Sequence, residues 1–418
     1  MNPLTENTLH RLRTPDGSRL LAAAVECEAD PFAAARLRVR FPDFSAEEAG
    51  AAVDQIRLRR RAREKFTAAE EMWFSGDLLE QASSEPVAAW RARRFAEWAC
   101  TRSLPPLLAD LCCGVGADTF GLARALPEEI SVTSVDQSPL AAALTTANAE
   151  VLCLRSRIQV QVGTLPQDAP AADACWMDPS RREQGKRTRT LDEMSPPLGA
   201  LLALADSRAA VGIKLAPATD LDALDAQLAG RKCEWEWISD RRVCRELVLW
   251  LGDLTQERSV RRASLAGVGQ TLAGIPQPLP PTGAFRQFLL EPDPAVIRSG
   301  LVGNLAQTLG AGAIDPQLAY LTLDRLVHTS FAVSYRVEDV LPFSLRELAR
   351  RLRVQNAGGV EIKTRGAAVV PEVLRQQLRP VLKHGNPGCR PVVFVTRLGC
   401  RPTMILGERV DLDDRNKN

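Results

Sequence analysis

Three carboxylates, each closing a short apolar run, are the residues of this chain best placed to do chemistry. Asp110 follows Leu107-Leu108-Ala109 and leads into Leu111-Cys112-Cys113-Gly114-Val115-Gly116-Ala117-Asp118-Thr119. An apolar run, a glycine turn and an apolar-periodic segment (Phe120, Leu122, Ala123, Leu126) read as strand, turn and helix. That unit opens a nucleotide-binding fold, because the glycines let backbone approach a ligand and the helix N-terminus faces it. Asp136 closes a second, alternating run, Ile130 to Val135. It stands about 20 residues beyond the glycine turn, where such folds place an acceptor for ribose hydroxyls. Asp178 closes Ala174-Cys175-Trp176-Met177 and opens Asp178-Pro179-Ser180-Arg181-Arg182, with Lys186, Arg187 and Arg189 close behind. Arginine and lysine neutralise phosphates, so this loop has the composition of a nucleic-acid contact.

The elements that must hold these residues are legible around them. Ser138 suits an N-cap and Pro139 a first helical residue, so a helix runs from there to Asn148. Ile158 to Val162 alternates as a third strand and ends at Gly163-Thr164. After a helix from Leu198 to Ala205, Ala210-Val211-Gly212-Ile213-Lys214-Leu215 reads as a further strand, with Lys214 and Pro217 at its exit. Trp235 to Ile238 and Glu246 to Leu251 read as a closing antiparallel pair. Strands alternating with helices imply a doubly wound α/β sheet, whose ligands lie outside the carboxyl ends of its strands.

Composition sets limits. The chain has 418 residues, 45% hydrophobic and 25% charged, which fits a soluble globular protein of two or three domains. No apolar run reaches the roughly 18 residues of a membrane helix, and Leu20 to Val25 runs straight into acids rather than forming a signal segment. Ten cysteines form no Cys-x-x-Cys pair, so a reducing cytoplasmic location is expected, with no membrane partner. Only three histidines are present, none at ligand spacing from a cysteine cluster, so no metal is expected. The net charge of +2 is unevenly spread, with 13 basic against 4 acidic residues in 341–410. That excess suits a polyanion-facing module. Oligomeric state is not written in the sequence.

Residues 1–100 read as a helical N-terminal domain. Its basic run, Arg57 to Lys65, fits a solvated helix face, and Trp73, Trp90 and Trp98 fit core anchors. Residues 101–275 carry the sheet, and the proline-rich 275–283 bounds a third part, 284–410. There Asp293-Pro294 caps a helix expected to reach Leu305, and Ser344 with Glu347 has the form of a capping box. Leu345, Leu348 and Leu352 line one face of that second helix and Arg346, Arg350 and Arg353 another. Val360 to Gly366 alternates as a strand, and a helix from Pro371 to Leu382 with strands Pro391 to Thr396 and Thr403 to Leu406 completes a small α/β module.

The run Asp110 to Thr119 resembles motif I of class I S-adenosylmethionine (SAM) methyltransferases, with Cys112 where that family commonly has its first glycine. Asp178-Pro179 resembles motif IV of nucleic-acid methyltransferases, although Ser180 and Arg181 replace the second proline and the aromatic residue. With Glu291 to Arg298 and Ile362 to Gly366, nearly the whole chain resembles bacterial class I methyltransferases with a C-terminal THUMP-like domain. The resemblance implies a Rossmann-like methyltransferase sheet between a helical N-terminal domain and a small C-terminal α/β domain. It implies SAM held by Asp110, Cys112, Gly114, Gly116, Asp118, Thr119, Asp136, Gln137, Thr164 and Asp178, with Asp168 as a substitute for Thr164 at the adenine. Catalysis would rest on Asp178, Pro179 and Arg181, the carboxylate accepting from a target amine. RNA, often tRNA for THUMP domains, would be bound by Arg182, Lys186, Arg187, Arg346, Arg350, Arg353, Lys363 and Arg365. A uracil-carbon mechanism would instead require a cysteine nucleophile, Cys175 or Cys244. Methylation of a small molecule or protein, and a non-catalytic SAM- or RNA-binding scaffold, are the other readings.

Overall fold

The computed structural model describes residues 4–410 apart from 28, 181, 184–185, 188–190, 192, 229, 258–259, 282 and 284, and the side chains of 181–190 lie outside the description. The chain forms two compact units, Met1–Trp235 with Glu246–Ser259, and Glu236–Arg245 with Val260–Asn418.

The first unit begins with six helices: α1 (Glu6–Leu12), α2 (Pro15–Glu26), α3 (Ala33–Arg40), α4 (Ala46–Ala62), α5 (Gly76–Gln81) and α6 (Glu85–Ala99). The longest, α4, starts in a full capping box between Ser45 and Glu48. Its arginine-rich end is exposed in part, but Arg59 lies over the Trp73 ring at 4.9 Å. Trp73 and Trp98 are buried.

The sheet follows, with β1 (Leu108–Leu111), α7 (Ala117–Ala125), β2 (Val132–Asp136), α8 (Pro139–Val151), β3 (Ile158–Val162), β4 (Ala174–Met177), α9 (Leu198–Ala205), β5 (Ala210–Leu215), α10 (Leu221–Leu228), β6 (Cys233–Asp240) and β7 (Val243–Gly252). Within this unit the strand order is β3-β2-β1-β4-β5-β7-β6, β6 belonging to it through residues 233–235 and β7 through residues 246–252. Strands β1 to β5 run parallel to one another, and β7 runs antiparallel to β5. All residues of β1, β4 and β5 are buried, as expected of strands covered on both faces. The order reverses beside β1, so the crevice between β1 and β4 is the switch point where such sheets bind ligands. Asp136 ends β2 and Asp178 follows β4, while Asp110 and Lys214 are the penultimate residues of β1 and β5.

In the second unit, β8 (Arg261–Leu265) and β9 (Gln270–Gly274) pair antiparallel. The helix expected from Asp293 to Leu305 is two helices, α11 (Pro294–Arg298) and α12 (Val302–Leu309), because Gly300 takes φ +76° and turns the chain between them. A separate sheet contains β10 (Phe288–Pro292), β11 (Leu321–Leu323), β12 (Ala332–Pro342), β13 (Glu361–Arg365), β14 (Val392–Leu398) and β15 (Arg401–Arg409), in the order β11-β10-β12-β15-β14-β13. Helices α13 (Leu345–Val354) and α14 (Pro371–Leu382) bury Leu348, Leu352, Leu374 and Leu378 against Ile362, Val393, Val395 and Met404. Leu289, Tyr320, Tyr335, Phe394 and Ile405 make a second cluster.

Candidate active site

The glycine turn is built by its neighbours. Cys112 and Cys113 both donate their amides to Val135 O, at 2.8 and 3.1 Å, which ties the exit of β1 to β2. Cys112 takes φ +71°, so the backbone keeps the left-handed conformation that a glycine would adopt freely. Gly114 takes φ +58°, and a Cβ built on it meets nothing within 4 Å. The space above this residue is therefore open to a ligand. Gly116, at φ +89°, has the opposite surroundings, since a Cβ there would stand 2.4 Å from Phe120 Cζ. The carbonyls of the turn are taken up by α8: Thr145 Oγ1 donates to Gly114 O at 3.0 Å and Asn148 Nδ2 to Val115 O at 3.2 Å. Asn148 also exchanges two hydrogen bonds with the backbone of Trp73, so the turn is braced from the helical segment as well.

Asp136 receives the amide of Gly114 on Oδ2 and that of Ser138 on Oδ1, both at 2.9 Å. Burial raises its carboxyl above the usual range, while those two amides pull it down. Gln137 next to it is exposed. Asp110 is fully buried; its Oδ2 accepts from Thr119 Oγ1 at 2.5 Å, and Oδ1 has no hydrogen-bond partner. Burial, with Asp118 beside it, pushes its carboxyl well above the carboxylate range. Thr119 also meets Ser134 Oγ at 2.9 Å, which explains a threonine where a dinucleotide fold has its third glycine. A buried acid with an unfilled acceptor, an open glycine turn and a second acid whose oxygens retain lone pairs fit the amino group and ribose hydroxyls of SAM.

Asp118 is placed differently from its neighbours in the motif. Its carboxylate accepts from Arg91 and from Ser83 Oγ, so it sits in a buried network rather than facing open space. Arg91, brought in by α6, also pairs with Glu246 at 3.1 Å and lies 4.2 Å from the centre of the Trp176 ring. Glu246 is pushed up to about 7 by burial, against the pull of Arg91 and Lys214. Lys214 Nζ donates to Asp178 Oδ2 at 2.6 Å and to Ser83 Oγ at 3.2 Å. Sequence reasoning missed Arg91, Ser83 and Glu246. Arg91 carries no local signal that separates it from Arg93 and Arg94 on the same helix.

Thr164 is exposed, and Asp168 Oδ2 accepts its amide at 2.7 Å, so the two residues named for the adenine form one turn. Pro179 is buried. Ser180 and Ser195 exchange two backbone hydrogen bonds of 2.9 Å and close the base of the loop between them. Within it the backbone of Arg182 pairs opposite Arg187 and that of Glu183 opposite Lys186. Arg181 lies outside the described residues, as do the side chains of Arg182, Lys186 and Arg187. Cys175 is 1% exposed within β4, and burial lifts its thiol to about 11, which removes it as a nucleophile.

In the second unit, Arg346 and Arg353 are exposed on α13. Arg350 is exposed too but holds the carboxylate of Glu347 in a two-pronged pair at 2.6 and 2.8 Å. Arg350 and Arg351 keep that carboxyl down at about 2. The expected capping box is therefore half made: Ser344 Oγ accepts from Glu347 N at 3.3 Å, but the Glu347 side chain is taken by the arginines. Lys363 and Arg365, expected to face RNA, are committed inside their own unit. Lys363 Nζ pairs with Glu291 at 2.7 Å and Glu361 at 3.1 Å. Arg365 donates to Ala319 O at 3.1 Å and lies over the Tyr320 ring at 4.8 Å.

No helix among the described residues is long and apolar enough to cross a membrane, and no group of three or more potential metal ligands is found among them. Comparison with known proteins agrees with the geometry. Residues 332–409 match the family described as THUMP domain-like, and residues 6–62 match a domain of unknown function. An uncharacterized S-adenosylmethionine-dependent methyltransferase of Mycobacterium tuberculosis, in strains CDC 1551 and H37Rv, is 32% identical over 379 residues, which cover 87% of this chain and 96% of the relative. A crystal structure from Porphyromonas gingivalis W83, assigned as a methyltransferase, superposes with a TM-score of 0.72 at 19% identity and covers 94% of this chain and 99% of its own. This chain belongs to the S-adenosylmethionine-dependent methyltransferases with a C-terminal THUMP-like domain.

Proposed function

We propose that this methyltransferase modifies an exocyclic amine of a base in structured RNA, such as tRNA or rRNA. The observation that carries the reading is the THUMP-like match over 332–409, the segment richest in unbalanced positive charge. THUMP domains bind RNA, and the likeness of this segment to them, with the exposed Arg346 and Arg353 on α13, supports RNA as the acceptor. The functional parts follow the sequence: helical 1–100, methyltransferase 101–275 and THUMP-like 284–410.

The residues at the switch point have distinct tasks. Asp110, Cys112, Gly114, Gly116 and Thr119 shape the cradle for the amino-acid end of SAM, Asp136 and Gln137 the ribose side, and Thr164 with Asp168 the adenine side. SAM supplies a methyl group made electrophilic by its sulfonium. Asp178 presents a carboxylate from which Oδ2 is already engaged, and Oδ1 accepts an N–H of the target amine. That bond aims the nitrogen lone pair at the methyl group, so the rate gain is mainly one of positioning. Pro179 stiffens the exit of β4, and Arg181 takes the place where related loops carry a stacking aromatic; a guanidinium plane also stacks on bases.

Transfer of radiolabelled methyl groups from SAM, with total RNA and a protein extract as separate acceptors, tests the reading. Label in RNA supports it; label only in protein or in small molecules overturns it.

A further inference from the structure

We propose that Lys214 is a positioning residue for methyl transfer, holding the Asp178 side chain by Oδ2 with Oδ1 turned to the acceptor amine. The inference rests on the assignment of Asp178 to the reacting end of the site.

Strand β5 is buried throughout and apolar except at Lys214, which is 7% exposed. Its ammonium makes two side-chain hydrogen bonds, to Asp178 Oδ2 at 2.6 Å and Ser83 Oγ at 3.2 Å. Stability does not account for such a residue. Desolvating an ammonium and a carboxylate is costly, and replacing a buried ion pair with apolar side chains of similar volume is often neutral or stabilising. The pair stands where an open α/β sheet binds its ligands, which gives the charge a reason to be there.

The surroundings of Asp178 define what the lysine does. The charged and titratable groups that act on it among the described residues include Asp110 from β1, Cys112 from the turn, Asp136 from β2, Arg91 from α6, Glu246 from β7 and Lys214 from β5. Arg91 is paired with Asp118 and Glu246. Among the described residues Lys214 is the cation in hydrogen-bonding contact with Asp178. The lysine itself is no proton acceptor, since Asp178, Glu246 and Asp118 raise its pKa despite burial. Removing it leaves Asp178 Oδ2 without that hydrogen bond, so the carboxylate can turn and Oδ1 is no longer held toward the amine.

The experiment compares Lys214→Met, Lys214→Gln and Lys214→Arg with the parent, with Asp178→Asn as control. Rates of methyl transfer to total RNA are resolved into kcat and KM for each variant, and SAM binding is followed by calorimetry. Lys214→Met is expected to lower kcat roughly 10- to 100-fold, with KM for SAM nearly unchanged. Lys214→Gln has a similar volume, so it remains informative where the methionine variant folds poorly, and it should show the same loss of kcat. Lys214→Arg, which keeps a charged donor, should restore much of the parent kcat. A parent-like kcat in both neutral variants, beside an inactive Asp178→Asn, overturns the inference. Full activity of Asp178→Asn, by contrast, overturns the assignment of Asp178 on which it rests.

Discussion

Asp136 Oδ2 accepts the amide hydrogen of Gly114 at 2.9 Å, so the acid that ends β2 and the glycine that opens the turn after β1 form one unit. A ligand held by the turn is thereby also within reach of the acid. Asp136→Ala is expected to weaken SAM binding by more than tenfold, because it removes charge-assisted bonds of about 1.5–3 kcal/mol each. Calorimetric titration reads the loss; unchanged affinity would detach this acid from the cofactor.

The two glycines of the turn should fail in different ways. Gly114→Ala meets no atom within 4 Å, so its effects are a left-handed strain of about 1–2 kcal/mol and a methyl group in the space left for the ligand. SAM affinity should drop about tenfold or more while the fold survives. Gly116→Ala drives its Cβ into the buried Phe120 ring and should lower unfolding stability by more than the strain alone. Denaturant melts beside SAM titrations separate the two. An unchanged SAM affinity in Gly114→Ala would mean that the space above Gly114 is not a ligand site.

Glu246 gives stability a pH dependence. Its folded carboxyl titrates at about 7, above the ordinary value, because burial penalises its charge more than Arg91 and Lys214 favour it. Protonation is then favoured in the folded state. The contribution is fully present below the unfolded carboxyl range and is lost as pH rises through about 7. Glu246→Gln should remove this component, so the difference in unfolding free energy between variant and parent should grow between pH 5 and 8. The slope is at most about 1.4 kcal/mol per pH unit. A constant difference across that range would show that Glu246 is ionised throughout.

Much of the sheet was legible because buried parallel strands are continuous apolar runs, and their carboxyl ends are marked by polar residues. Asp110, Asp136 and Asp178 stand out on that ground alone. The network beneath them was not legible, since Arg91 meets Glu246 across 155 residues and Lys214 meets Ser83 across 131. Side-chain competition was equally hidden. Glu347 sits at capping-box spacing from Ser344, yet Arg350 and Arg351 lie one helical turn away and win its carboxylate. Lys363 and Arg365 look solvated in an alternating strand, and only the fold brings Glu291 and Tyr320 to them.

The exposed arginines of α13 give a separable prediction. Arg346→Ala with Arg353→Ala should weaken binding to total tRNA and flatten its salt dependence, by a log–log slope of about 0.7–0.9 for each phosphate that is no longer neutralised. SAM affinity should stay as it is. A slope identical to the parent's would leave this face as solvated surface.

The most direct measurement is methyl transfer from labelled SAM to total RNA, followed by digestion to nucleosides, with the parent and Asp178→Asn side by side. An amide has no negative charge and turns a donor toward Lys214 or toward the amine, so the variant should bind SAM and RNA but lose at least about 100-fold in rate, as loss of a group acting mainly in the transition state implies. The parent should place its label on the exocyclic nitrogen of one base. Label on a ring carbon or on ribose, or an Asp178→Asn variant as active as the parent, would contradict the account.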